Sequence, residues 1–433
     1  MTDPGRRPRA LVTLPDVAWP VDGGKRLRCA GVLRGLSEVA DVDVAVLHSR
    51  APDDVPPVPP DVRVARWTRV SPEPLPRLRA ALAAARGGLP VHVAAQRWDE
   101  VRRHLAAWTA GRHYDLVWFG GLDHASALHD DLPASVRLVD CDDVETEKWR
   151  AYLRGPATGV DRVERLQRRV ELPLWGRVQR DVLRWADVVV VCSDVDARRL
   201  RGCASGGRPI RGRAHVAVVP NTYPDPAAVT GTGTGLHART RLGHDTPRHP
   251  PSNPVALVVA NYATPQNQDA ARAAAHGLLP ELRARHPHAG VRLVGRDADR
   301  LEDLRGLDGL DLVGPVPAVA GELAAATAVV VPMRFGGGTR LKVLEAFAHG
   351  VPVVSTSLGC EGVGAVDGEH LLVADSAAAM ADAVMTLHAD PLRARQLAGA
   401  ARRHYERHFT PAASTTAVAE VVSSALTAGR PAR

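Results

Sequence analysis

Between Gly336 and Glu345 the chain reads GGGTRLKVLE: glycines at 336, 337 and 338, then Thr339, two cations at Arg340 and Lys342, and a carboxylate. Glycine loses more conformational freedom on folding than any other residue, so a run of it calls for a reason. A glycine turn lets backbone N–H groups approach an anion with no Cβ in the way, and a helix N-terminus behind it adds about half a positive charge. Arg340 and Lys342 supply full charges. Such a set suits a diphosphate. The same stretch also reads as a tight turn with Lys342 and Glu345 paired three residues apart on a solvated face.

For an anion site the turn must join a strand to a helix. An apolar run at 329–333 predicts the strand, and apolar residues at 341, 343, 344, 347 and 348 predict a largely buried helix over 339–349, ended by Gly350. Strand-length apolar runs recur along the chain. RALVTLP, DVDVAVLH, YDLVWFGG, VRLVD, ADVVVVCS and HVAVVPN lie in the first half, and PVALVVA, GVRLVG, LDLVGP, AVVVPM, VPVVST and EHLLVAD in the second. Helix-compatible stretches separate them, which predicts parallel sheets covered on both faces. Residues 222–253 lose all periodicity and concentrate Pro, Gly and Thr. The expected organisation is therefore a Rossmann-like domain over 1–221, a linker or mobile loop over 222–253, a second Rossmann-like domain over 254–405, and a C-terminal helix and tail over 406–433 packing back on the first domain. Two doubly wound α/β domains would face each other across a cleft, with ligands beside the strand carboxyl ends.

With 433 residues, 45% apolar and 24% charged, the composition is that of an ordinary globular protein of more than one domain. A formal charge of +7 favours anionic partners, whereas 4% aromatics and the lack of zinc-finger spacing argue against nucleic acid. Cys29, Cys141, Cys192, Cys203 and Cys360 are scattered and form no CxxC pair. They suggest neither a disulfide framework nor a zinc site, and point to a reducing cytosol. The N-terminus has no apolar h-region, and no run of about 18 apolar residues occurs, so neither export nor a membrane span is expected.

Four Asp-x-Asp strings occur, at Asp41/Asp43, Asp140/Asp142, Asp194/Asp196 and Asp297/Asp299. Among 48 acidic residues such strings arise by chance. Only Asp140 and Asp142 follow a strand-like run and mark the place to look for a metal; none is expected to be required. In the first half, Gly23 and Gly24 precede a helical pattern and could bring N–H groups to a donor phosphate or an acceptor. Residues 74–88, PLPRLRAALAAARGG, form a basic amphipathic stretch that fits an anionic membrane face, an acceptor, or simply a solvated helix.

The stretch GGGTRLKVLEAFAHGVPVVST, with NPVALVVANYATPQNQDA, LLPELRARHPHAGVRLVG and GCEGVGAVDGEHLLVAD, resembles the C-terminal domain of family 4 glycosyltransferases of the GT-B fold, in a GGGTRLKxLEA subgroup. PVDGGKRLR, YDLVWFGGLDHASAL, ADVVVVCSDVDA and VAVVPN extend the resemblance over nearly the whole chain. It implies a hexosyltransferase-type enzyme whose domain over 1–221 binds the acceptor; cysteine usage and the basic stretch at 74–88 place it in the cytoplasm, free or at the inner membrane face. Such an enzyme moves a sugar, with retention, from a nucleotide-diphosphate sugar to a glycan, lipid-linked or natural-product acceptor, without a metal or other cofactor. By the same resemblance Glu345 is the second glutamate of the E-x7-E motif and holds the ribose hydroxyls, while the first glutamate's place is taken by Gly337. The family's diphosphate-binding Arg and Lys are missing from NYATPQNQD, so that charge falls to Arg340, Lys342, the glycine turn and Arg296. His124 resembles the family histidine near the reacting sugar. The catalytic candidates are therefore His124, Arg340 and Lys342. A metal-dependent GT-A type transferase and a non-catalytic nucleotide-sugar binder are the rivals; LPDVAWPVDGGKR fits a nicotinamide-binding turn poorly.

Overall fold

A computed structural model describes residues 6–21, 23–49, 51, 57–155, 162–205, 214–226 and 251–428. The chain divides into two compact units. The first comprises Met1–Arg150, Val163–Asn221 and Ala412–Arg433, and the second Ala151–Arg162 and Thr222–Pro411. Most of the 222–253 segment, residues 227–250, lies outside the described residues; 222–226 and 251–253 belong to the second unit, as do 406–411.

In the first unit β1 (Arg9–Leu14), β2 (Asp41–Leu47), β3 (Arg66–Val70), β4 (Tyr114–Phe119), β5 (Ala134–Asp142), β6 (Val188–Val191) and β7 (His215–Val218) form one sheet in the order β3-β2-β1-β4-β5-β6-β7. Every pairing is parallel. Helices cover both faces, so the strands read as continuous apolar runs; the four valines of β6 are all buried. On one face Leu11, Phe119 and Val139 pack against the helices Trp98–Thr109, Leu122–Leu128 and Arg162–Trp185. On the other, Val12, Val44 and Leu138 meet the helices Gly24–Val39 and Pro411–Ala428. A Cβ on Gly35 would lie 2.4 Å from Val418 Cβ, so the crossing of those two helices requires glycine. The strand missing from the sequence reading is β3: its RWTRV is an edge strand, half-exposed, and carries arginines where a buried strand carries valine.

In the second unit β8 (Val255–Val259), β9 (Gly290–Val294), β10 (Leu310–Gly314), β11 (Ala328–Val331), β12 (Val353–Ser355) and β13 (Leu372–Val373) form a parallel sheet in the order β10-β9-β8-β11-β12-β13. The helix Leu341–Ala348 lies beneath it, with Val343, Leu344 and Phe347 wholly buried. Both units are doubly wound α/β folds. In each, strand order reverses between the unit's first and fourth strands, at β1/β4 and at β8/β11. That reversal is where such sheets open a crevice at their carboxyl ends. Among the described residues no helix is long and apolar enough to cross a membrane.

Candidate functional site

The glycine turn leaves β11 at the β8/β11 reversal. Gly336 and Gly338 have φ of 132° and 76°, a region nearly closed to L side chains, and a Cβ on Gly336 would lie 3.0 Å from Met333 Cε. The turn therefore demands glycine for its own shape. The loop after β8 interlocks with it: Asn267 Oδ1 accepts from Lys342 Nζ at 2.7 Å, Asp269 Oδ2 accepts from Arg334 Nε at 2.9 Å, and Gln266 Cγ lies 3.7 Å from the position of a Gly336 Cβ. NYATPQNQD thus supplies amide, hydroxyl and carboxylate groups. The buried hydroxyl oxygens of Thr264 and Thr339, one on each loop, have no hydrogen-bond partner among the described residues. A buried hydroxyl left without a partner is costly, and a ligand or ordered water would supply one.

The two cations behind the turn differ. Arg340 caps the helix Leu341–Ala348; its guanidinium donates to the carbonyl oxygen of Gly337 and, at 3.3 Å, to that of Leu358. It clasps the turn from within. Lys342 does not pair with Glu345 but reaches Asn267. Burial and the neighbouring Arg340 charge bring its ammonium down to about 7, against the upward pull of Glu345. Glu345 is buried, and its Oε1 accepts from the Tyr223 hydroxyl at 2.6 Å. Burial pushes its carboxyl up, while the Tyr223 bond and Lys342 pull the other way. Tyr223 is itself held: its N–H donates to Phe409 O at 3.1 Å, and its carbonyl accepts from the Tyr405 hydroxyl at 2.8 Å. Arg296 is exposed after β9 and follows Gly295, whose Cβ would fall 1.7 Å from Ala260 O. The candidates of the second unit thus share the carboxyl edge of its sheet, with Lys342 and Glu345 on one helix.

In the first unit the equivalent reversal, β1/β4, carries Gly23, Gly24 and His124. Gly23 caps the helix Gly24–Val39 in extended conformation, φ −169°, and a Cβ there would meet nothing within 4 Å. Gly120 is different, since its Cβ would strike Thr13 O at 2.3 Å. His124, in the first turn of the helix Leu122–Leu128, is buried with Nδ1 3.0 Å from Thr13 Oγ1. Burial, with help from Lys25, lowers its imidazole against the pull of Asp123, so it is neutral at pH 7. Burial pushes the Asp123 carboxyl up, but His124, His92 and Lys25 outweigh it and hold it below its ordinary value. Trp98 stands edge-on to both His124 and His48. His48 has a left-handed φ of 56°, and burial with the His124 charge lowers its imidazole to about 4.

Of Asp140 and Asp142, the pair singled out as the place to look for a metal, Asp140 is taken by Arg28, whose Nη2 donates to it at 2.6 Å and whose Nη1 reaches Val219 O and Asn221 Oδ1. Asn221 in turn donates to Asp142 at 2.8 Å. The ligand atoms of Asp142, Asp143 and Cys192 lie within 4.8 Å of one another. Burial and Asp142 raise Asp143 to about 7. Three partners escaped the sequence reading: Tyr223, Asn267 and Arg28. Each is an ordinary residue in its local context, and sequence separations of 122, 75 and 112 residues part them from Glu345, Lys342 and Asp140. No short-range signal could have found them.

Residues 253–390 match the family model described as "Glycosyl transferases group 1". A comparison with curated proteins finds no match. Among solved structures, sucrose-phosphate synthase from Thermosynechococcus elongatus is similar with a TM-score of 0.65 at 20% identity, covering 98% of this chain and 100% of that one. A glycosyltransferase from Rickettsia africae has a TM-score of 0.60 at 10% identity, covering 97% and 99%. HepE of Anabaena, in complex with UDP and glucose, has 0.57 at 15%, covering 96% and 99%. The structural likeness shows the GT-B type of two-domain α/β fold. The family match, which lies within the second unit, supports a glycosyltransferase.

Proposed function

We propose that the protein transfers a sugar from a nucleotide-diphosphate sugar to an acceptor, the second unit holding the nucleotide and the first the acceptor. The observation that carries this reading is the set at the β8/β11 reversal: a glycine turn that needs glycine, a half-buried lysine beside it, and a buried carboxylate held by a tyrosine. Glu345 accepts the ribose hydroxyls on lone pairs that Tyr223 leaves open. The diphosphate lies at the turn, where the hydroxyls of Thr264 and Thr339 gain a partner.

Transfer with retention needs no strong base. As the glycosidic bond loosens, the anomeric carbon becomes oxocarbenium-like and the leaving diphosphate gains negative charge. Lys342 takes up that charge best: in a dry site a nearby anion restores its proton and strengthens the attraction. Arg340 shapes the turn and adds its charge at one remove. His124, neutral, offers a hydrogen bond to the sugar. Side chains perform the neutralisation, so turnover is expected without a metal. HepE's complexes with UDP and with UDP-glucose make uridine nucleotides the first donors to try. The cysteines and the lack of a spanning helix among the described residues fit a cytoplasmic protein.

A thermal-shift screen against UDP, GDP, ADP and dTDP and their sugars tests the reading. The matching nucleotide should add about 2.7 kcal/mol at a hundredfold excess over its dissociation constant. Donor turnover should then persist in EDTA. Stabilisation by none of them would overturn the nucleotide site, and loss of turnover with chelator would overturn metal independence. Gly337 in the first glutamate's place favours one second reading, a nucleotide-sugar binder that turns nothing over; stabilisation without donor cleavage or transfer would select it.

A further inference from the structure

The helix Arg77–Gly87 is built inside out. An amphipathic helix on a soluble protein turns its large apolar residues inward, yet this one buries only Ala80 and Ala84. Leu78 and Leu82 are 77% and 53% exposed. At 3.6 residues per turn they share the face opposite the two alanines, with the exposed Ala81 and Ala85 beside them. Arg79 and Arg86 flank that stripe on one side and Arg77 on the other. All three arginines are exposed, and among the described residues none has an acidic partner. The long helix Arg162–Trp185, which lies against the end of this one through Arg177 at Gly88, bears a second exposed pair, Leu166 and Val170, at 63% and 62%.

We propose that the helix Arg77–Gly87 seats the first unit on an anionic lipid surface. Leu78 and Leu82 enter the headgroup boundary, and Arg77, Arg79 and Arg86 pair with lipid phosphates. Three things favour a bilayer as occupant. The stripe is narrow and flanked by cations on both sides, the arrangement of helices that lie in an interface plane. The arginines lack internal partners, so their charge is available. Two copies of the face would bring six like charges together, which disfavours self-association. The inference stands apart from the transfer reading and holds whether or not the protein moves a sugar.

The test is co-sedimentation of the full chain with vesicles of phosphatidylcholine alone and of phosphatidylcholine mixed with phosphatidylglycerol, at low and high salt. Binding is expected to the mixed vesicles only, and to weaken with salt. The Arg77→Gln, Arg79→Gln, Arg86→Gln variant should bind on the order of a hundredfold more weakly, the combined effect of three cations near an anionic surface. The Leu78→Glu, Leu82→Glu variant should fail to bind while keeping the wild-type melting temperature, because neither leucine belongs to the core. Equal binding to neutral vesicles, unchanged binding by either variant, or a wild-type dimer that the Leu78→Glu, Leu82→Glu variant dissolves would each overturn the proposal, the last in favour of a second copy.

Discussion

Two strand-to-helix turns, one in each unit, flank the strand reversal of their sheets, one after β1 and the other after β11, and are built on opposite terms. The turn at Gly336–Gly338 needs its glycines, since two have left-handed φ and one lies against Met333. Behind it the charged groups, Arg340 and Glu345 buried and Lys342 half-buried, are engaged: Arg340 with carbonyls, Lys342 with Asn267, Glu345 with Tyr223. The turn at Gly23 has extended backbone and empty space where a Cβ would go, and its nearest cation, Lys25, is exposed. The first is a preorganised site whose order is held by the protein. The second is an opening that the protein does not fill. Preorganised charge in a dry setting is worth far more to a developing anion than charge in water.

If that contrast is right, the largest effect belongs to Lys342. Lys342→Met should lower turnover by a factor of about 100, the scale for removing one preorganised stabiliser, with no loss of melting temperature. Lys25→Met should change turnover little. Comparable losses in the two variants would erase the distinction.

Glycine replacements separate shape from space. Gly338→Ala, at φ 76°, should cost about 1–2 kcal/mol of stability in a denaturant titration. Gly23→Ala should stay within about 0.5 kcal/mol, so any loss of ligand affinity it shows reports the ligand and not the fold. A strongly destabilised Gly23→Ala would break the comparison.

A third effect is pH-dependent and belongs to the second unit alone. Burial and Arg340 bring Lys342 down to about 7 without ligand, and a diphosphate bound beside it would raise that value. Below 7 the lysine is charged with or without ligand and affinity is flat; between the free and the raised value binding takes up a proton and affinity falls as pH rises, by at most about tenfold per pH unit. Calorimetry in buffers of different ionisation enthalpy should detect the proton, and Lys342→Met should abolish it. The folded-state value also lies below that of an unfolded lysine. The unfolded chain therefore binds more protons between about 7 and 10, and this group makes the unliganded protein more stable as pH rises through that window.

The smallest expected effect is at Tyr223. Tyr223→Phe removes one hydrogen bond to a carboxylate and should weaken nucleotide binding by about 1 kcal/mol. Losing the donor lets the Glu345 carboxyl rise further, so the deficit should grow as pH falls. Glu345→Ala should abolish the preference for ribo- over 2′-deoxyribonucleotides, and Tyr223→Phe should reduce it. A Tyr223→Phe protein with wild-type affinity and pH profile would remove the tyrosine from the site.

Much of this protein is written in local pattern. Continuous apolar runs such as VVVV at β6 are strands because a sheet covered on both faces leaves no polar side to show, and that rule located every strand but β3, whose half-exposed edge position lets arginine and threonine in. The glycine turn, the helix behind it and the basic helix at 77–87 were legible for the same reason: backbone conformation and helical period depend on near neighbours. What sequence left open is what distance decides. Lys342 and Glu345, three residues apart, fit a surface pair as well as an anion site, but the fold sends one to Asn267 and the other to Tyr223, and burial then moves both titrations toward neutrality. The strand reversals gathered the loops after β8 and β11 at one edge, and packing chose alanine over leucine as the buried face of the helix Arg77–Gly87. Hydrogen-bond partners, desolvation and the choice of inward face depend on which chain segments meet, and that is set by the tertiary structure.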